Sequence, residues 1–155
     1  MVRHIRRTAA GVKDAFVVKA SLDEEGTFLS VAHVGNKVIP TDGTTFESLL
    51  ERTRDALADE EALSGKPVRV VFDDFVRGDR RDKTPMLVMT GVKAEGGYSA
   101  SNLTNEPEIA VEGDSFSSLV QNVIASADRA LGGGKNIQFG LSEKPRIRLV
   151  LEAPL

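Results

Sequence analysis

The chain is predicted to be an α+β protein made of two tandem β-β-β-α-β units. Each unit is expected to be an antiparallel sheet with one helix on a face. Three observations predict this. The sequence resembles itself at an offset of 70 residues, so that Gly43 falls on Gly113, and a missed repeat mistakes the whole fold. Short β-branched and aromatic runs alternate with Gly-containing turns, the pattern of strands and hairpins. In each half a single segment carries apolar residues at helical spacing. A length of 155 residues suits one domain or two small ones on a soft prior of about 150 residues per domain.

The first half reads in order. Residues 15–22 (AFVVKASL) form a strand, and Asp23-Glu24-Glu25-Gly26 a turn closed by a residue that accepts positive φ. Residues 27–34 (TFLSVAHV) form the second strand, Gly35-Asn36 a turn, and Val38-Ile39 a short third strand. Thr44 and Glu47 have the spacing of a capping box, hydroxyl to backbone and carboxylate back to the cap. Phe46, Leu49, Leu50, Thr53 and Leu57 then mark one helical face. The opposite face carries Glu51, Arg52, Arg54, Asp55 and Asp59. Ser64-Gly65-Lys66-Pro67 stops the helix, and residues 68–72 form a fourth strand.

The second half repeats the order. Residues 86–93 and 98–103 are strands around the turn Glu95-Gly96-Gly97, and 108–111 is a short third strand. Asp114 or Ser115 caps a helix whose apolar face is Phe116, Leu119, Val120, Val123, Ile124, Ala127 and Leu131. Gly132-Gly133-Gly134 ends it. Residues 136–141 and 146–152 then alternate around Ser142–Pro145 and predict an extra C-terminal hairpin; which of its strands matches Val68–Phe72 is left open. The segment Phe75–Pro85 is polar and mixed in charge. The expected layout is a basic tail over 1–14, a first unit over 15–74, a charged linker over 75–85 and a second unit over 86–155. A unit of this size buries only about 60% of its unfolded surface, so pairing two units is a natural remedy.

Composition narrows the chemistry. Hydrophobic residues make up 41% and charged residues 28%, ordinary for a globular chain. With no cysteine, the chain has no disulfide framework, thiol nucleophile or Cys-based zinc site. The net charge of −3 argues against a dedicated nucleic-acid binder. It is unevenly spread: residues 1–15 carry +3 and 75–85 carry +2, whereas 16–74 carry −6. No apolar run reaches the roughly 18 residues of a membrane span, and the basic N-terminus lacks the apolar core of a signal peptide. A cytoplasmic bacterial protein is the default expectation.

Several residues invite a chemical reading. Asp23, Asp42, Asp73 and Asp74 lie at turns or strand ends, but two-metal chemistry needs carboxylates that converge. His4 and His33 do not make a metal site by themselves. Gly132–Lys135 follows a helix rather than a strand and lacks the Ser or Thr of a phosphate loop. Asn102-Leu103-Thr104 matches a glycosylation acceptor without a secretory context. Arg6, Arg7, Arg80 and Arg81 are the candidate phosphate contacts, in segments with almost no aromatic residue for base stacking. The acidic helix face of Glu47, Glu51, Asp55 and Asp59 is the candidate partner-binding surface, suited to a basic protein.

The pattern resembles the HicB-like antitoxin family, a truncated ribonuclease-H-like unit. The residues that carry it are Val17-Val18-Lys19-Ala20, Asp23-Glu24-Glu25-Gly26, Phe28–Val31 and Thr41–Arg52, and again Val111–Asn122 in the second half. The resemblance implies a non-enzymatic, cofactor-free module that covers the active site of a small toxin ribonuclease. The chain departs from the family by carrying two units and no DNA-binding segment after the second, which puts operator binding in doubt. The expected function is antitoxin-like recognition of a protein partner, such as a small basic toxin-like protein, through an acidic helix face or a sheet edge. The alternatives are a self-associating homodimer built by sheet pairing and a weak nucleic-acid binder using the Arg segments.

Overall fold

The computed structural model describes residues 15–79, 81, 86–102, 108–131 and 146–155, the side chain of Leu131 excepted. The strands are β1 (Phe16–Leu22), β2 (Phe28–Val34), β3 (Lys37–Gly43), β4 (Val68–Arg77), β5 (Met86–Ala94), β6 (Gly97–Ser101), β7 (Ala110–Gly113) and β8 (Arg146–Pro154). The helices are α1 (Phe46–Leu57) and α2 (Phe116–Leu131), with a 3-10 turn at Glu61–Leu63. All eight strands belong to one sheet in the order β3-β2-β1-β4-β8-β5-β6-β7. The described residues fall into two compact units, 15–71 with 154–155, and those from 72 to 153. The division between them falls inside β4. Phe75, Val76 and Arg77 belong to that strand.

In the first unit β1, β2 and β3 are antiparallel neighbours. Val18, Ala20, Phe28, Ala32 and Val34 are buried on the face toward α1. Phe28 meets Phe46 of α1 with ring centroids 5.8 Å apart. The helix buries Phe46, Leu49, Leu50, Thr53 and Leu57, the face that the spacing predicts. Its cap is Thr45 and not Thr44: the Ser48 N–H donates to Thr45 Oγ1 at 3.0 Å. Glu47 therefore does not stand at the position that would close a capping box. The helix also ends at Leu57, before the expected stop, because a separate 3-10 turn follows.

One polar pair lies inside this core. Ser30 and Thr53 are 2% and 1% exposed, and their hydroxyls are 3.0 Å apart. Thr53→Val should cost about 1–3 kcal/mol by leaving the Ser30 hydroxyl buried without this bond. The double variant Ser30→Ala/Thr53→Val should recover most of that loss in urea unfolding.

In the second unit β5, β6 and β7 are antiparallel neighbours, but β8 lies parallel to β5. The expectation of a purely antiparallel sheet is corrected here. The cause is the crossover: α2 lies between β7 and β8 in sequence, and parallel neighbours require such a long connection. The expected extra hairpin is also corrected. Residues 146–152 belong to an interior strand whose neighbours are β4 and β5, and residues 136–141 lie outside the described residues. In element order β8 follows the second helix as β4 follows the first. Phe116 of α2 packs on Phe72 and Tyr98 at 5.1 and 6.3 Å, and Ser115 caps the helix through the Ser118 N–H at 3.1 Å.

Laid against each other at the 70-residue offset, the two halves fall out of step in the first strand. Val31 pairs with Lys19, and Ser101, its counterpart, pairs with Thr90. The first strand is therefore displaced by one further residue, so Val17 matches Val88 and not Leu87. Burial agrees, since Val17 is exposed and Leu87 is buried. The physical cause is the turn: residues 23–27 separate Leu22 from its partner Phe28, whereas only 94–97 separate Lys93 from Tyr98. A one-residue slip would put each side chain on the wrong face.

Candidate functional site

The outer face of α1 carries Glu47, Glu51 and Asp55, all exposed and each four residues from the next. That spacing aligns them in one stripe. Asp59, expected on the same helical face, lies beyond the helix end and is exposed. The neighbouring cations are partly engaged elsewhere. Arg52 Nη1 donates to Asp42 Oδ1 at 3.0 Å, and Lys37 Nζ lies 3.2 Å from Glu60 Oε1. Like charges four residues apart cost a helix a few tenths of a kcal/mol per pair. Only Glu47, in the first turn, is favoured by the helix dipole. Arg54, three residues from Glu51, offsets the repulsion between Glu51 and Asp55.

The second helix supplies an internal control. At the positions of Glu47, Glu51 and Asp55, α2 has Ser117, Gln121 and Ala125, which are also exposed. The two helices share cap position, apolar spacing and aromatic entry residue. The fold therefore does not need charge at these positions, and the carboxylates belong to α1 alone.

The two outermost strands, β3 and β7, differ in what they offer to another chain. Gly35-Asn36 is a two-residue turn between the partners Val34 and Lys37, which makes these a hydrogen-bonded pair. Alternation along the ladder then turns Val38, Pro40 and Asp42 outward. Proline has no N–H to donate, and Arg52 occupies the Asp42 carbonyl at 3.3 Å. On β7 the Asn102 N–H donates to the Ile109 carbonyl at 3.0 Å, so Ala110 and Glu112 turn outward. No proline interrupts β7. Asn122 Nδ2 donates to the Glu112 carbonyl at 2.5 Å, as Arg52 does to the Asp42 carbonyl, so it is Pro40 that makes β3 the more obstructed edge. The sequence points to a sheet edge without choosing one, because the choice depends on hydrogen-bond phase.

The other candidates have structural employment. Asp23 Oδ1 accepts from the Glu25 and Thr27 N–H groups at 2.9 and 2.8 Å and organises the first turn. Asp74 Oδ1 accepts from the Phe75 N–H at 2.8 Å. Asp73 forms a two-bond ion pair with Arg148, whose Nε lies 2.7 Å from Oδ1. The hydrogen bond and charge of Asp73 hold the Arg148 guanidinium above its usual pKa. Among the described residues no group of three or more His, Asp or Glu is placed to hold a metal. Asn102 is 2% exposed, and its Oδ1 accepts from the Ile109 N–H at 2.6 Å. This bond and that of its N–H tie Asn102, the residue after β6, to Ile109. Arg77, grouped with the basic linker, is in β4 and pairs with Asp128 at 2.5 Å. Arg81 is exposed. Arg6, Arg7 and Arg80, like His4 and Gly132–Lys135, lie outside the described residues.

A feature that the sequence reading missed is the apolar surface of the first unit. Val17, Leu29, Val31 and Val38 are exposed, on the side of β1–β3 away from α1. The signal was present in residues 28–34, where apolar residues occupy both phases of the alternation. No helix among the described residues is long and apolar enough to cross a membrane. No family model, curated protein or solved structure matches the chain.

Proposed function

We propose that the chain is a non-enzymatic protein-binding module, made of two copies of one HicB-like β-β-β-α-β unit. It is antitoxin-like and acts in the cytoplasm on a small basic protein. The observation that carries this reading is the contrast between the helices: Glu47, Glu51 and Asp55 on α1 against Ser117, Gln121 and Ala125 on α2. A carboxylate stripe on one helix, where the other carries none, is supported as a recognition surface. Such a stripe steers a cationic partner and tunes its on-rate. Where a partner also adds a strand, the β7 edge favours it over the β3 edge.

The test is co-expression with any small basic protein encoded beside this chain. The chain should bind it and suppress its ribonuclease activity. The variant Glu47→Ser/Glu51→Gln/Asp55→Ala, which copies the α2 residues, should weaken binding roughly tenfold or more and flatten its salt dependence. Its unfolding midpoint should stay equal or rise slightly, since alanine is also the better helix former. Unchanged affinity in this variant would remove α1 from the interface.

A further inference from the structure

The side of β1–β3 away from α1 presents Val17 from β1, Leu29 and Val31 from β2, and Val38 from β3, the last 59% exposed. Register adds Pro40 beside Val31 and sets Val38 beside His33, with Lys19 and Asp42 as neighbouring charges. Together they make a raised aliphatic patch. In β2 apolar residues thus stand on both sides, Phe28 and Val34 toward α1, Leu29 and Val31 away from it. An antiparallel sheet with one solvated face normally alternates apolar and polar residues. This face has the composition of a covered one.

The helix-free side of β5–β7 supplies a contrast. Thr90, Ser99, Ser101, Ala110 and Glu112 share it with one exposed large aliphatic residue, Val92. The segments that lead into the two units differ in the same sense. Residues 1–14 (MVRHIRRTAAGVKD) carry Val2, Ile5, Ala9 and Val12, spaced three, four and three residues apart. That spacing is one side of a helix, and Arg3, Arg6 and Arg7 fall off it. Residues 78–85 (GDRRDKTP) contain no Val, Ile, Leu, Met or Phe. A leader with an apolar stripe precedes the unit with the aliphatic face, and a leader without one precedes the other.

We propose that the occupant of this face is the chain's own N-terminal segment, docked as a helix through Val2, Ile5, Ala9 and Val12 against Leu29, Val31 and Val38. The dimensions fit. A helix over residues 1–12 is about 18 Å long, within the length of about 23 Å of a seven-residue strand, and β1, β2 and β3 each have seven residues. Its width of about 10 Å with side chains matches the two strand spacings of about 4.8 Å from β1 to β3. Lys13, Asp14 and Ala15 remain for the return into Phe16, a usual length for a connection. A helix this short is marginal alone, so the stripe orders on contact. A tethered segment meets the face at an effective concentration on the order of mM, which favours it over a second copy. Docking would exchange an aliphatic surface for one bearing Arg3, Arg6 and Arg7. It leaves the stripe on α1 uncovered, so the two proposals stand or fall separately.

Paramagnetic broadening in the full chain tests it. The chain has no cysteine, so Arg7→Cys gives a single site for a nitroxide label on the polar side of the segment. In NMR spectra the label should broaden the methyl signals of Val17, Leu29, Val31 and Val38 and spare the amides of Glu51 and Asp55. Adding Val2→Asp/Ile5→Asp/Val12→Asp should abolish the broadening and raise the binding of a hydrophobic dye, because the patch is bared. Adding Val31→Asp/Val38→Asp should also abolish it, read at Val17 and Leu29, without raising dye binding. Both substituted strand positions are exposed, so the core should stay intact. Absence of broadening on this face would overturn the proposal. So would broadening of Glu51 and Asp55 instead, which would mean docking by charge on α1. Broadening seen only between copies, in a mixture of spin-labelled and isotope-labelled chains, would overturn it in favour of a second copy.

Discussion

Phe46→Ala should lower the unfolding free energy by about 3–5 kcal/mol, the largest single loss expected in the first unit. Phe46 is 0% exposed, opens α1 and meets Phe28 across the core. Removing the ring deletes its transfer free energy and leaves a cavity between helix and strand. The first turn of the helix, capped by Thr45, cannot collapse inward without moving its own anchor. Against a typical total of about 5–15 kcal/mol the loss is large. Urea unfolding should show a lower midpoint with an unchanged slope. Glu51→Gln, on the exposed side of the same helix, should stay within about 0.5 kcal/mol of wild type. Equal losses in the two variants would contradict the assignment of faces.

Gly113→Ala is the second large effect. A Cβ there would lie 2.5 Å from the Leu119 nitrogen and 2.8 Å from its Cα. Both are helix backbone atoms, which cannot rotate away as a side chain would. Strain of about 1–3 kcal/mol is typical of overpacking, and a backbone collision belongs at the upper end. Gly43 meets Leu49 in the same way, with a Cβ 2.6 Å from its nitrogen. Gly43→Ala should therefore cause a similar loss, and Gly113→Val a larger one. Gly96→Ala makes a useful contrast. A Cβ there meets nothing within 4 Å, and only its φ of +94° opposes the substitution. Thermal unfolding should rank Gly113→Val, Gly113→Ala and Gly96→Ala from most to least damaging.

These glycines show why much of the architecture was legible. Gly43 and Gly113 stand out among the matches at the 70-residue offset, and they recur because a helix backbone passes within contact of the strand end. The apolar faces of α1 and α2 were legible for a related reason: helical period is a local signal that packing then uses. The order of elements followed from the same local signals.

What failed was decided at longer range. The parallel β5–β8 pairing and the interior place of β8 depend on a crossover, which alternation in residues 146–152 does not reveal. The one-residue displacement of β5 depends on turn length, and Gly96-Gly97 resembles Gly26-Thr27 too closely to show it. The cap moved from Thr44 to Thr45 because adjacent threonines offer equivalent hydroxyls and tertiary packing chooses between them. The acidic stripe was legible as residues, but its meaning came from comparison with α2. The raised patch was not legible, since exposure on a two-sided apolar strand depends on which side receives the helix.

The most direct measurement is isolation of the tagged full chain from its own cells, with the recovered proteins identified by mass spectrometry, in wild-type and Glu47→Ser/Glu51→Gln/Asp55→Ala forms. The wild type should bring down a small basic protein in near-stoichiometric amount, and the folded variant should lose it. Recovery of the chain alone, or equal retention of the partner by both forms, would rule out recognition through α1.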